Sequence, residues 1–297
     1  LTGNERKGYF FVFLTGVFFA FEVIGFKEIF RRYQLPPEIA AFYGVFGSFI
    51  LVSTFFLFRK TNRDKVILTV KRDGKVLLLG TFLNSIGIIL YYQALRISDL
   101  GPSAILIKTT VLYNVLLGVL FLKETLRNFE VLGIILSLAG IYFISTLGGQ
   151  ISVESSVLIL ISAFFFASQS YLIKRFVPEI LGLEFAYLRL LLLSVFFIGY
   201  IHSIGTWEVL STEVILALTF FSLLGYFLGR AFYFQAHNYL PIGKLNATLL
   251  IEPIFLMGIG ILYMEEPFSA RKLVGSGLIL FGLYLLVFHK RKQTRPA

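Results

Sequence analysis

The chain has 297 residues, 57% of them hydrophobic, 17% aromatic and only 15% charged, with a mean hydropathy of +0.82. Soluble domains carry roughly 45–50% apolar and roughly 25% charged residues, so this composition excludes a soluble globular protein and reads as a chain built for a bilayer. The formal net charge of +10 requires no nucleic acid partner, and a chain without cysteine has neither a disulfide nor a thiolate site.

Apolar runs of about 20 residues, enough to cross a hydrocarbon core about 30 Å thick, recur along the whole chain. The first, 8–30, contains Glu22 and Lys27 in "FFAFEVIGFK", and the second is 37–58. The basic connection 59–75 is the longest and too short to fold alone. The third run, 76–96, carries Asn84 near its middle; the fourth, 102–122, carries Lys108 inside "AILIKTTVLYN". The fifth is 129–147. The sixth, 156–174, holds Gln169, and the seventh, 181–201, holds Arg189. The eighth, 214–235, contains Gly225 and Gly229 at the four-residue spacing of a close helix contact. The ninth, 244–263, carries Glu252 and Pro253, and the tenth, 271–289, precedes a basic tail, 290–297. The expected fold is therefore an all-α integral membrane protein of ten transmembrane helices, with nothing left over for a soluble domain. The first run is not followed by a small-residue cleavage site, so no removable signal is expected. Leu1 in place of Met fits a TTG start codon translated literally, or a trimmed fragment.

Charge gives an orientation. With the N-terminus in the cytoplasm, cytoplasmic ends and loops collect 18 Lys and Arg, among them Lys71, Arg72, Lys123, Arg127, Lys244 and Lys290, against five on the other side. The positive-inside rule then places both termini in the cytoplasm of a cell (inner) membrane. Much of the positive charge faces anionic lipid.

The chain repeats itself. Shifted by 142, residues 91–142 lie on 233–284 without a gap, and 12 of 52 positions are identical. Matches between apolar residues weigh little. Gln93/Gln235, Glu124/Glu266, Gly101/Gly243, Gly118/Gly260, Gly133/Gly275 and Gly140/Gly282 weigh more. A shift of 147 also sets Glu22 on Gln169 and Lys27 on Lys174. Each unit, 8–147 and 156–289, holds five spans. An odd number sends the second unit into the membrane from the opposite side, so the units are expected to form two inverted five-helix repeats. Secondary transporters use that architecture, with cargo bound near the midplane between the repeats.

A charge at bilayer depth costs about 2.5–3.5 kcal/mol even on insertion scales, so intramembrane charges are candidates for function. Lys108 either faces a cavity or snorkels to the headgroups. Glu252 is too short to snorkel far and is expected in protein or a wet cavity. Glu22 lines the cavity or pairs with Lys27. Asn84 lines it or makes an interhelical hydrogen bond, Arg189 lines it or anchors a loop, and Gln169 follows from its alignment with Glu22. An ammonium at Lys108 and a carboxylate at Glu252 suit a zwitterion such as an amino acid, and Glu22 or Glu252 is a candidate for proton coupling. Enzyme chemistry has no support: His202, His237 and His289 lie far apart, and neither a metal-ligand spacing nor a phosphate loop appears. No cofactor is expected.

The combination resembles a known family. A short Gly/Pro turn before the fourth helix of each unit ("LGPSA", "LPIGK"), an acidic end to that helix ("LFLKE", "LYMEE"), the "EP" of "LLIEPIF" and Arg189 in "LEFAYLRLLLL" are similar to the EamA-type family of the drug/metabolite transporter superfamily. The first unit departs from the pattern, with Val111 where a proline is usual and Tyr43 where the arginine would stand. The resemblance implies transport without naming a cargo, with a cavity on helices one, three and four of each repeat; taken with the intramembrane charges, the expected function is a secondary transporter, an exporter, of a small polar metabolite by alternating access. The alternative is a non-transporting membrane protein, either an accessory subunit or a lipid-modifying enzyme.

Overall fold

A computed structural model describes residues 3–58, 60–122, 128–147, 152–177, 182–240, 245, 248–249, 251–267 and 269–288. Arg59, Lys123, Glu124, Arg127, Gly243, Lys244, His289 and the tail 290–297, used above for orientation, repeat and site, lie outside these residues.

All the regular structure described is helical: α1 (Gly3–Tyr33), α2 (Pro37–Phe58), α3 (Lys60–Ile97), α4 (Leu100–Leu106), α5 (Thr110–Leu122), α6 (Asn128–Leu147), α7 (Val153–Phe176), α8 (Gly182–Ile204), α9 (Thr212–Ser222), α10 (Arg230–His237), α11 (Ile251–Leu262) and α12 (Ala270–Phe288). A 3₁₀ turn, Ile107–Thr109, joins α4 to α5, and a π-helical turn, Leu223–Gly229, joins α9 to α10. Seven of the described helical stretches are long and apolar enough to cross a membrane. Their outward faces carry large apolar side chains such as Phe10, Phe13, Leu51, Phe55, Leu78 and Phe82. Only lipid makes such a surface inexpensive, since the backbone polar groups are satisfied inside each helix. The protein is a multi-pass membrane protein.

Three boundaries differ from the sequence reading. The connection 59–75 is not a loop: from residue 60 it is the first part of α3, a 38-residue helix. No proline interrupts Lys60–Ile97, so nothing local stops the helix at the membrane surface. In the ninth run α11 carries Pro253 in its first turn, where the missing N–H costs nothing. The fourth and eighth runs are broken by the 3₁₀ and π turns, which periodicity does not reveal.

The helices before residue 148 pack mainly on those after 152, in antiparallel pairs: α3 with α7, α1 with the α9–α10 stretch, α4 with α11, and α6 with α12. Glycines set these approaches. A Cβ on Gly140 would lie 2.6 Å from Gly275 O, and one on Gly282 would lie 2.5 Å from Gly133 O. The two contacts are reciprocal, because Gly133 and Gly140 are the residues that align with Gly275 and Gly282. Gly140→Ala and Gly282→Ala are each expected to destabilise the protein by about 1–3 kcal/mol, and by similar amounts, since backbone rather than a movable side chain blocks the methyl. Gly199→Ala, with open space around it, serves as the control. Thermal unfolding of the purified variants in detergent measures all three.

Candidate functional site

Helical stretches from both halves of the chain bring polar side chains together inside the bundle. Glu22 comes from the middle of α1. Its Oε1 accepts a hydrogen bond from Tyr92 Oη at 3.1 Å, and Tyr92 Oη in turn accepts one from Tyr226 Oη at 2.9 Å. Tyr226 lies in the π turn, so this chain joins α1 and α3 to the eighth helical stretch. Gly225, one residue earlier, has no side chain because Glu22 occupies the place where a Cβ would stand. Gly229 likewise admits Phe19. The glycine pair noted in the sequence is thus a tight helix contact with α1. Gln169, the residue aligned with Glu22, is buried on α7 against Gly80 of α3. Its contact is looser than that of Glu22: a Cβ on Gly80 would lie 3.5 Å from Gln169 Cγ, an ordinary van der Waals distance.

Arg189 is fully buried on α8. Its Nε donates to Asn84 Oδ1 at 3.0 Å, its Nη2 donates to the same oxygen, and its Nη1 reaches Tyr226 O at 3.4 Å. The guanidinium also lies 5.3 Å from the Tyr226 ring centroid. Asn84 and Arg189 thus hold each other and the π turn. Asn84 Nδ2 is buried without a hydrogen-bond partner.

Lys108 stands in the 3₁₀ turn between α4 and α5, where the helix tightens. Its Nζ lies 2.9 Å from Glu252 Oε2, in the first turn of α11, and the two side chains are 16% and 5% exposed. Lys108 points into the protein, at Glu252, and does not extend to a headgroup. Tyr91 lies within electrostatic range of both Glu22 and Glu252, which also sense each other, so the carboxylates share one neighbourhood. Among the described residues no three of His, Cys, Asp and Glu come together as metal ligands.

Lys27 does not pair with Glu22. Its Nζ donates to Leu95 O at 2.9 Å and to Ser98 O, neutralising the C-terminal carbonyls of α3. Next to it, Glu266 accepts from the N–H groups of Leu100, and of Gly101 at 3.3 Å, and Lys272 pairs with Asp99. Burial raises the Glu266 carboxyl above the ordinary glutamate range, against the pull of those two donors. Arg230 lies over the Phe19 ring, 4.9 Å from its centroid.

Tyr92 and Tyr226 went unnoticed in the sequence. A tyrosine in an apolar helix carries no signal of its own, and only the crossing of α1, α3 and the π turn joins them in a hydrogen-bonded chain.

Comparison with known proteins gives consistent matches. The profile of the EamA-like transporter family matches residues 6–146 and again 155–288. YojE of Bacillus subtilis, described as an uncharacterized transporter, is 26% identical over 277 residues, covering 89% of each chain. An uncharacterized transporter of Archaeoglobus fulgidus is 25% identical over 224 residues, 72% of this chain and 77% of its own. A solved structure titled as the crystal structure of a protein superposes with a TM-score of 0.64 at 15% identity, over 94% of this chain and 96% of its own, a likeness of fold.

Proposed function

From the premise that the chain belongs to the EamA-like transporter family and is a membrane transporter, we propose that it is a secondary transporter, an exporter, of a small zwitterion such as an amino acid. The observation that carries this is the ion pair between Lys108 and Glu252, because each partner comes from a different half of the chain. A zwitterion entering between them offers a carboxylate to the lysine and an ammonium to the glutamate. Each charge then exchanges one partner for another, and no charge is left bare in a low-dielectric interior. An organic cation would satisfy Glu252 alone and meet repulsion from Lys108.

The mechanism proposed is alternating access between two inverted repeats, about 8–147 and 156–289, with ten spans and both termini in the cytoplasm. Reciprocal packing supports the symmetry: Gly140 on Gly275 with Gly282 on Gly133, and Phe19 on Gly229 with Phe166 on Gly87. Contacts that repeat with partners exchanged are what a two-fold relation produces. Antiparallel packing of the equivalent helices, α4 on α11 and α6 on α12, is the arrangement expected of an axis in the membrane plane. The basic asymmetry of the loops supports the orientation.

Glu22 is assigned the coupling proton. It sits at membrane depth, its recorded hydrogen bond comes from an uncharged tyrosine, and the Tyr92–Tyr226 chain leads from it to the other half. Intramembrane carboxylates linked in this way are the usual components of proton relays. Counterflow of a panel of amino acids into proteoliposomes, with and without an imposed pH gradient, tests the whole reading. The expected result is stimulation of at least one zwitterion by the gradient, lost in Glu22→Gln while exchange at zero gradient persists. Exchange of cations or neutral sugars but of no zwitterion would overturn it.

A further inference from the structure

The helical stretch that bears Lys108 starts at α4 in an unusual way. Its first residues are Asp99-Leu100-Gly101-Pro102-Ser103. A helix N-terminus leaves its first backbone N–H groups without intrahelical partners. Here Pro102 has no N–H, and the Ser103 N–H reaches Asp99 O at 3.2 Å. Two donors remain, on Leu100 and Gly101. Asp99 stands at the N-cap with extended backbone (φ −65°, ψ 148°), the residue type and conformation that ordinarily cap such groups, yet its side chain makes no capping bond. Its carboxylate is held by Lys272 of α12 instead. Both free N–H groups are taken by Glu266, which approaches from the loop between α11 and α12.

The first half's helix is thus capped by the second half's glutamate, while its own capping residue is engaged across the interface. Glu266 reaches this position because the chain just past α11 turns at Glu265 through the left-handed region (φ 57°), a conformation that favours glycine. That turn folds the Glu266 side chain back over Gly260, where a Cβ would stand 2.5 Å from Oε2. The Glu266 N–H is anchored to Gly260 O at 2.9 Å. Lys27 of α1, itself bound to the end of α3, is the further charge facing the cluster.

We propose that this cluster is the gate closing one end of the transport cleft, and that it works by exchanging caps on α4. In the closed state Glu266 caps α4 from the opposite half and Asp99 pairs with Lys272. When the halves part at this end, Asp99 leaves Lys272 and caps the Gly101 N–H of its own helix. The Gly101 N–H is then capped in both states and the Leu100 N–H meets the water that enters the opened end, so the gate opens without stranding two buried donors. Such a segment has two discrete arrangements of similar energy, as a switching element requires. By the basic asymmetry of the loops this is the outer end. The proposal rests on the transport reading, because it presumes that the halves move apart.

The test reads gate opening directly and needs no cargo, so its failure is distinct from a failure to find a substrate. The chain contains no cysteine, and Met257 packs on Gly101 behind the cluster, so Met257→Cys alone reports access from this end. The full-length protein in lipid nanodiscs is labelled with a charged, membrane-impermeant maleimide. Glu266→Ala is expected to raise the labelling rate about tenfold, the worth of hydrogen bonds to a charged group. Gly260→Ala, which leaves Glu266 in place but displaces its carboxylate, is expected to do the same. The decisive pair is at Asp99. Asp99→Asn loses the pairing with Lys272 but keeps the ability to cap, and should label faster than the parent. Asp99→Ala loses both, and should label several-fold more slowly than Asp99→Asn, because the open state has lost its cap. Unchanged labelling in Glu266→Ala and Gly260→Ala would overturn the gate. Equal rates for Asp99→Asn and Asp99→Ala would overturn the exchange of caps.

Discussion

The double variant Lys108→Met/Glu252→Met is expected to fold about as stably as the parent and to transport nothing, whereas each single variant loses both stability and transport. Removing one partner of a buried ion pair leaves the other charge uncompensated, at a cost of about 3–5 kcal/mol, while replacing both with apolar groups of similar volume is close to neutral. Glu252 is 5% exposed and Lys108 16%, so both remain buried when left alone. For cargo the arithmetic differs. If Lys108 receives the carboxylate of a zwitterion, its loss forfeits a charged hydrogen bond of about 1.5–3 kcal/mol, or roughly 10- to 150-fold in affinity, and removing Glu252 forfeits the ammonium contact as well. Thermal unfolding in detergent together with counterflow in proteoliposomes separates the two effects. Recovered stability with recovered transport would make the pair a structural clip, and the cargo site would have to lie elsewhere.

Asn84→Leu is expected to be among the most damaging single changes in the bundle, and Asn84→Asp a stabilising one. Arg189 is fully buried, and two of its recorded donors, Nε and Nη2, depend on Asn84 Oδ1. Leucine removes that acceptor and strands a guanidinium, at about 3–5 kcal/mol. Aspartate keeps the oxygen, supplies an opposite charge, and replaces the Nδ2 donor that has no partner. A buried unsatisfied donor costs about 1–3 kcal/mol, so its removal works in the same direction as the new ion pair. If Arg189 anchors the π turn through Asn84 and Tyr226, the Asn84→Asp protein should transport with an unchanged half-saturating cargo concentration and a higher unfolding midpoint. A shift in that concentration, with the midpoint unmoved, would place Arg189 and Asn84 in contact with cargo.

Composition and pattern by themselves decided the physical class of this protein. Runs of apolar residues long enough for a bilayer allow little except membrane-spanning helices, because lipid offers the backbone no hydrogen bonds. Lys108, Glu22 and Glu252 stood out for the same reason, since a charge inside an apolar run is too costly to be incidental. The glycines singled out by the repeat stood out because close helix approach constrains them: Gly133, Gly140, Gly275 and Gly282 meet at the crossing of α6 and α12. Partnership was not legible. Glu22 was set against Lys27 by sequence proximity, yet Lys27 closes the end of α3 and Glu22 meets a tyrosine 70 residues away. Glu266 read as the acidic end of a helix, and its task lies on the N-terminus of another helix 166 residues away. The helical path of 60–75 and the turns at 107–109 and 223–229 also had to come from the fold. Hydrophobic periodicity reports which solvent a side chain prefers, and it is nearly silent in a chain apolar on every face. Which polar group then meets which is set by the crossing of helices distant in sequence, and that is a property of the packed bundle alone.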